Sequence, residues 1–310
     1  MPTPIVRSTA RSAVFSLDRV QRADGESVLS EAVGAYQAAL GARLVAAYAL
    51  GSLAHGGFAP LVSDVDLGLI LADPVEPGDA GTIRTVADAQ KRTGSALAER
   101  LSVFWGTAAT LRGQSDGGRF PPLDRLDLVE HGRLLAGVDV RAAVPRPSGE
   151  ELLVSGAEFA LELLAGERAG GSALGGDLGS LHAPGSQTLA EIREPERLLA
   201  RGVRWATKLV LFPVRFMFTA ATGHVATNQD AAAWYLAREA APAAELVVAA
   251  ITWREAPPRD DGAAAHLLRG QLVALYRQYI DDQVTRLEAA GRPELARSFS
   301  RWRGQLERHD

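Results

Sequence analysis

The sequence predicts an α+β fold in which a small mixed sheet flanked by helices is followed by a bundle of helices. Up to about residue 140, short apolar runs bounded by glycine, serine or proline alternate with segments of helical spacing. After a break at Pro145, Pro147 and Gly149, the chain is rich in alanine, leucine, arginine and glutamate and keeps a helical period. A chain of 310 residues exceeds a typical single core. We therefore predict two domains, over residues 1–145 and 146–310.

The elements of the first half follow from run length and from the residues at their ends. Buried strands are short, apolar and bounded by turn residues, whereas helices are longer and place apolar groups on one face. In chain order we predict a helix over 26–40 that ends at Gly41, strands over 44–51 and 66–72, a helix over 82–101, an extended segment over 101–106, and a strand beginning at 125 within the segment 125–137.

The second half is predicted to be helical, with one interruption. Residues 166–188 are rich in glycine and serine, which is typical of a long flexible loop. No repeat with a period of 20 to 50 residues is visible, so a solenoid is disfavoured.

Composition excludes several classes of function. The formal net charge is −4, with acidic and basic residues intermixed, so no broad cationic face favours a polynucleotide partner. The chain has no cysteine, which removes disulfides, thiolate metal sites and cysteine nucleophiles. No run of about 18 apolar residues predicts a membrane span, and the N-terminus lacks the apolar core of a secretory signal. We expect a cytoplasmic protein without membrane contacts, as a monomer or a small homo-oligomer.

The segment that carries chemistry is residues 48–71, YALGSLAHGGFAPLVSDVDLGLIL. Asp64 and Asp66 open a strand, and because side chains alternate along a strand, both carboxylates face the same side with Val65 behind them. Paired carboxylates suit Mg²⁺, a hard cation that takes oxygen ligands and shares its shell with phosphates and water. The spacing predicts a magnesium site.

Gly51 and Ser52 close the preceding strand, with eleven residues between Ser52 and Asp64. A glycine lets the backbone approach a triphosphate closely, and the serine amide and hydroxyl can donate to phosphate oxygens. A lone Gly-Ser or a lone Asp-x-Asp is common turn chemistry. Together, one closing a strand and one opening the next, they predict a metal and phosphate site.

This pattern resembles that of the nucleotidyltransferase superfamily that includes DNA polymerase beta. Within it, the stretch GSLAHGGF, followed by Pro60 and SDVDL, is most similar to the aminoglycoside adenylyltransferases acting on streptomycin and spectinomycin. A second stretch, RFMFTAATGHVATNQDAAAWYLA over 215–237, is similar to the C-terminal segment of that family. The resemblance implies an N-terminal nucleotidyltransferase domain and a helical C-terminal domain.

The resemblance also implies roles for individual residues. Gly51 and Ser52 match phosphate-contacting positions, and Asp64 and Asp66 match metal ligands. Arg215 matches an arginine that reaches the nucleotide phosphates from the helical domain, with Thr222 and Gly223 in the turn after it. Asn228 stands where those enzymes usually have a phosphate-contacting lysine, so one cation is missing. His55 and Trp234 are interpreted as structural residues.

A third carboxylate is implied by the family, and its position is open. The segment 101–106 holds no acid, so the candidates are Asp124, Asp127 and Glu130. In a strand, Asp124 and Glu130 would share a side while Asp127 would face the other. Asp127 is favoured as the catalytic base because Arg-Leu-Asp-Leu-Val resembles the strand that bears the third acid in small nucleotidyltransferases. The alternative is that Asp127 is structural.

The resulting function is metal-dependent transfer of a nucleoside monophosphate, AMP from ATP, to an acceptor hydroxyl. Three hypotheses stay open for the acceptor and the activity. The chain is an adenylyltransferase for an aminoglycoside and so an antibiotic-resistance enzyme; or it acts on another small molecule, a protein or an RNA end; or it is a nucleotide-binding homologue that has lost catalysis. Acidic residues in 176–196 and 255–261 could face a cationic acceptor, but a solvated surface is the commoner place for such segments.

Overall fold

The N-terminal half of the chain forms a four-stranded sheet. In the computed structural model, which describes residues 9–165 and 185–307, the strand order is β3-β2-β1-β4. β1 pairs antiparallel with β2 and β4, and β2 pairs parallel with β3. The predicted small mixed sheet is therefore confirmed. The strands are β1 (Leu44–Leu50), β2 (Val65–Leu71), β3 (Leu101–Thr107) and β4 (Arg133–Gly137).

Five helices accompany the sheet in the described part of this half. The helix predicted over 26–40 is confirmed and begins earlier than expected. The helix predicted over 82–101 is shorter, because Gly94 adopts a φ of 81° before the next strand. The helices are α1 (Thr9–Leu40), α2 (Gly51–His55), α3 (Asp79–Lys91), α4 (Ala108–Leu111) and α5 (Pro122–His131).

Alternation along β2 separates a structural face from a functional one. Val65, Leu67 and Leu69 are fully buried in a core shared with α1 and α3. Asp66 and Gly68 lie at the alternate positions and so face the other side of the sheet. One face of β2 therefore contributes to the core, and the other face, which is turned away from α1, presents the Asp66 carboxylate.

The second half is helical throughout its described residues. A single large core joins its helices and includes the fully buried aromatic residues Tyr276, Tyr279, Phe299 and Trp302. The helices are α6 (Gly149–Ala160, continued by a π-helical turn, Leu161–Ala165), α7 (Gly185–Arg193), α8 (Pro195–Ala200), α9 (Val203–Thr222), α10 (Asn228–Leu236), α11 (Ala244–Trp253), α12 (Asp261–Ala289) and α13 (Pro293–Glu307). The α+β class is confirmed.

One predicted element is wrong. The strand predicted to begin at residue 125 is the helix α5, and the strand β4 starts only at Arg133. The five residues Arg-Leu-Asp-Leu-Val alternate like a strand, but Pro122 occupies the first helical turn, where its fixed φ and missing N–H suit a helix start. The residues around Asp127 therefore follow a helical period.

Within the described residues, no helix is both long enough and apolar enough to cross a membrane. The loop predicted over 166–188 lies outside the described residues except for its last four, which begin α7. The domain boundary at residue 145 stays a prediction.

Candidate active site

The turn between β1 and α2 lies at the centre of the candidate site. Gly51 adopts a φ of 59°, in the left-handed region that favours glycine. A Cβ built on Gly51 would overlap the Asp66 carboxylate, which the antiparallel register places beside Leu50. Backbone conformation and space both require glycine here, and they let the chain approach the carboxylate closely.

Asp66 is a buried carboxylate among other acids. Burial is the main cause that raises its pKa, to about 8, and the neighbouring carboxylates Asp64, Asp124 and Asp127 add to it. Lys208 opposes the shift without cancelling it. The ionised form of the Asp66 side chain is therefore disfavoured by its surroundings, and a bound cation would stabilise it.

Asp64 has a different environment, because two cations from α9 contact it. Arg204 Nη2 lies 2.5 Å from Asp64 Oδ1, and Lys208 Nζ lies 2.5 Å from Oδ2. Burial raises the pKa of Asp64, but Lys208 and Arg204 together outweigh burial, and the pKa ends below its usual range. Burial, opposed by Asp64, lowers the pKa of Lys208.

The sequence analysis did not identify Arg204 or Lys208. A signal was present, because Arg204, Lys208 and Arg215 recur at intervals of four and seven residues and so lie on one face of the otherwise apolar helix α9. The motif segment 48–71 contains no lysine or arginine. The cations that face it therefore come from the helical half.

Two acids from α5 line the same cleft. Asp127 Oδ2 accepts a hydrogen bond from the Gly51 N–H at 2.5 Å, and the buried Asp127 Oδ1 has no hydrogen-bond partner among the described residues. Burial is the main cause that raises the pKa of Asp124 to about 7; Arg119 opposes the shift and Asp127 adds to it. Both side chains line one cavity beside Asp66.

The helical period corrects the expected facing of these acids. Residues three apart lie on neighbouring positions of a helix face, so Asp124 and Asp127 point the same way, where a strand would have turned them apart. Glu130 lies outside the cleft, where it pairs with Arg146 and His224. Of the three candidate acids, the structure brings Asp124 and Asp127 to the site.

Two cavities meet at Asp64 and Asp66. The first, of about 100 Å³, is termed the cationic pocket; it also holds Ser52, Lys208, Arg215, Asn228 and Arg254. The second, of about 230 Å³, is termed the aromatic chamber; it also holds Phe104, Asp124, Asp127, Phe159 and Phe216. Gly51, His55, Lys208, Phe212 and Arg215 line both. The cleft therefore has a cationic side and an apolar, acid-bearing side.

Arg254, at the end of α11, is a third cation that the sequence analysis missed. It is 3% exposed, its Nη2 donates to Gly57 O at 2.6 Å and its Nη1 to Gln229 Oε1 at 3.2 Å. It makes no ion pair with any described residue. Burial, followed by the nearby Arg215, lowers its pKa to about 10. A buried guanidinium beside a second cation, without a carboxylate partner, favours an anion in this pocket.

The other residues singled out in the sequence take distinct places. Asn228 begins α10 and lines the cationic pocket, so a neutral amide stands there. Gly223 has a φ of 70° and ends α9 after Thr222. Trp234 packs edge-on against Phe218 at 5.7 Å, as a structural residue does. His55 lines both cavities, with its Nδ1 buried and without a partner among the described residues.

The carboxylates of the cleft are the oxygen donors that could bind a divalent cation. Among the described residues, no group of three or more histidine, aspartate or glutamate side chains is arranged to hold a metal ion by itself. Asp66, however, lies beside Asp64 among carboxylates that oppose its ionisation unless a cation is present, and Asp127 Oδ1 is a buried oxygen without a hydrogen-bond partner among the described residues. Oxygen donors of this kind fit a hard cation that takes the rest of its ligands from phosphates and water.

The chain is distantly similar in structure to a solved adenyltransferase. No protein-family model matches the chain, and no curated protein matches it. The similar structure is the crystal structure of spectinomycin adenyltransferase AAD(9) from Enterococcus faecialis with ATP and spectinomycin. The superposition covers 78% of this chain and 98% of the adenyltransferase chain, with a TM-score of 0.48 and 12% sequence identity. That likeness is too distant to assign a family, so the chemistry of the cleft rests on its own residues.

Proposed function

We propose that this protein is a metal-dependent nucleotidyltransferase that moves AMP from ATP to an acceptor hydroxyl. The observation that carries the proposal is the meeting of two unlike cavities at Asp64 and Asp66. One cavity is lined by three cations and the Gly51–Ser52 turn, and the other by two further acids. A nucleoside triphosphate needs cations for its phosphates, and an attacking hydroxyl needs a base.

The cationic pocket suits the phosphates that leave. Lys208, Arg215 and Arg254 supply positive charge, and Ser52 supplies a hydroxyl and an amide. In a cleft with limited water, these fixed donors stabilise charge that develops on departing pyrophosphate without having to reorganise. Lys208 and Arg254 are cations beyond the predicted Arg215, and they offset the absence of a lysine at Asn228.

Asp64 and Asp66 would hold Mg²⁺. The ion, when bound, would offset phosphate charge and favour ionisation of the attacking hydroxyl. Because Arg204 and Lys208 occupy both oxygens of Asp64, a cation at Asp64 competes with those ion pairs. Lys208 also lines the cationic pocket, so its ammonium group would be available to phosphates there.

Asp127 is proposed as the base, with Asp124 beside it. The acceptor oxygen forms a bond to the α-phosphorus, the bond from that phosphorus to the β-bridging oxygen breaks, and pyrophosphate leaves with the bonding pair. The hydroxyl proton goes to the Asp127 carboxylate. Asp127 Oδ2 is fixed by the Gly51 N–H, so Oδ1, which lacks a partner, is the oxygen free to accept it.

The test is pyrophosphate release from ATP and Mg²⁺ across an acceptor panel that includes streptomycin, spectinomycin, kanamycin and uncharged alcohols. We expect release that depends on the acceptor and is lost in Asp127→Asn. Asp116→Asn, on an exposed turn away from both cavities, is the matched control. ATP binding without release for any acceptor would contradict catalysis and favour a nucleotide-binding homologue.

A further inference from the structure

The aromatic chamber is lined by phenylalanine rings that have no role in the proposed transfer chemistry. The rings of Phe159, Phe212 and Phe216 contact one another in all three pairs, with centroid distances of 6.1, 5.9 and 6.0 Å. All three are only partly buried, so ring surface is open to the cavity that they line. Open aromatic surface inside a cleft favours an apolar or aromatic ligand that covers it.

The place of this chamber identifies which substrate would occupy it. The attacking and leaving oxygens lie roughly in line across the phosphorus in phosphoryl-type transfer. If pyrophosphate leaves into the cationic pocket, the attacking hydroxyl comes from the other side of Asp66, which is the aromatic chamber. Asp124 and Asp127 line that chamber and not the cationic pocket. The position of the proposed base, Asp127, and the in-line direction of attack therefore both place the acceptor beside the phenylalanines.

Charge in the chamber disfavours a polycation. Asp64 is already neutralised by Arg204 and Lys208. The remaining carboxylates, Asp66, Asp124 and Asp127, face Arg119 and Arg215 in the same cavity. Several unpaired carboxylates would be needed to bind a polyamine sugar, and the proposed metal ion removes the surplus that is left.

An outer cavity supplies a route to the chamber. Its volume is about 520 Å³, and it shares Arg119, Pro121 and Ser155 with the chamber. The outer cavity therefore adjoins the chamber, on the side where a compact acceptor would enter.

We propose that the acceptor is a compact small molecule that carries its hydroxyl on an aromatic or apolar body, held by Phe159, Phe212 and Phe216 with the hydroxyl toward Asp127. This inference rests on the proposed nucleotidyl transfer for its chemistry, since the same in-line reaction forms the new phosphate ester on that hydroxyl. The substrate class itself follows from the lining of the chamber.

Binding of 2-naphthol, measured by calorimetry with α,β-methylene-ATP and Mg²⁺ present, tests the substrate class. Phe159→Ala should weaken binding of 2-naphthol about tenfold or more, because the ligand loses one of the three rings that cover it. Phe159→Leu keeps most of the packing volume and should weaken it by a smaller factor. Phe218→Ala is the matched control, because Phe218 lies on α9 with Phe212 and Phe216 but packs on Trp234 outside the chamber; the affinity of this variant should stay within about twofold of the wild type.

Turnover separates this inference from the proposed function. We expect pyrophosphate release to be stimulated by 2-naphthol and not by kanamycin. Release with kanamycin alone, or equal losses of 2-naphthol affinity in Phe159→Ala and Phe218→Ala, overturns the inference and leaves nucleotidyl transfer standing. Binding of 2-naphthol that depends on Phe159, with no pyrophosphate release from any acceptor, overturns nucleotidyl transfer and supports the chamber's ligand class.

Discussion

At the scale of the residue, two aspartates separated by one position have opposite electrostatic environments. Asp64 meets two cations, and Asp66 meets carboxylates. In the sequence they form an equivalent pair of expected metal ligands that face the same side of a strand. The structure distinguishes them, because the charges that decide their energies come from α5 and α9.

Substituting each aspartate should separate stability from activity. Both Asp64→Asn and Asp66→Asn are expected to abolish pyrophosphate release. In EDTA, Asp66→Asn should raise the melting temperature, because it removes a carboxyl group whose ionisation is opposed by burial and by the neighbouring carboxylates; 1 kcal/mol corresponds to roughly 2–4 °C for a domain of this size. Asp64→Asn should lower it, since Lys208, only 11% exposed, loses its partner, at about 1–3 kcal/mol.

Thermal melts in EDTA, with circular dichroism at 20 °C as a check on the fold, measure both shifts. A lower melting temperature for Asp66→Asn than for the wild type would show that no repulsion is stored at Asp66.

The buried Arg254 gives a second prediction at this scale. Arg254→Gln should weaken pyrophosphate and ATP about tenfold or more and change AMP affinity little, since a charged hydrogen bond is worth about 1.5–3 kcal/mol. Arg215→Ala should act in the same direction. Calorimetry with pyrophosphate, ATP and AMP measures the difference, with Arg277→Gln, a surface arginine, as the control. Equal losses for AMP and pyrophosphate would indicate a structural role at Gly57 instead.

At the scale of the element, the β1–α2 turn determines how closely backbone and carboxylate approach. Gly51 meets Asp66 across the turn, and its N–H donates to Asp127. The turn therefore joins β2 and α5 at one point. Its geometry is set by a positive φ and by the absence of a side chain.

Gly51→Ala tests the turn. The added Cβ would displace the Asp66 carboxylate and strain the positive φ, so we expect loss of pyrophosphate release and a destabilisation of about 1–3 kcal/mol. Gly81→Ala is the matched control: Gly81 lies in α3 with open space around it, and alanine there should stabilise by about 0.5–1 kcal/mol. Chemical denaturation of both variants gives the two values; an active Gly51→Ala would disprove the close approach.

At the scale of the whole molecule, Glu130 connects the sheet-bearing half to the helical half. It lies on α5, accepts from the Val225 N–H at 2.9 Å and pairs with His224 at 2.7 Å and with Arg146. Burial raises the pKa of Glu130, but these donors outweigh burial and hold the pKa below its ordinary value of 4.5. The cleft lies between the same two halves, so the contacts of Glu130 help to hold together the two sides of the cleft.

The sign of the pH dependence follows from that lowered pKa. The contribution of Glu130 to stability is complete above the unfolded pKa, near 4.5, and is lost as the pH falls through the lower folded pKa. Glu130→Gln should therefore cost about 1–3 kcal/mol at pH 7, and its deficit should shrink in more acidic buffer. Urea unfolding at pH 7 and pH 4 measures this, with the exposed Glu294→Gln as control. A deficit unchanged between the two would contradict the ionic role.

The sequence by itself determined the α+β class, the strands β1 and β2, and the placing of Asp64 and Asp66 after a Gly-Ser turn. These features depend on hydrophobic periodicity and residue spacing within about twenty residues. Backbone geometry determines directly, from such spacing, which side of a strand or helix each side chain occupies. It misassigned α5, because five alternating residues cannot distinguish a strand from a helix.

Only the tertiary structure decided which charges and rings surround that motif. Asp64 pairs with Arg204 and Lys208, which lie 140 and 144 residues further along the chain. Arg254 donates to the Gly57 carbonyl, 197 residues away in sequence. The packing of α5 and α9 against the sheet sets those contacts, and no local pattern encodes it. Charge and apolar surface in the cleft act through space, so the cationic pocket and the aromatic chamber exist only once the two halves meet.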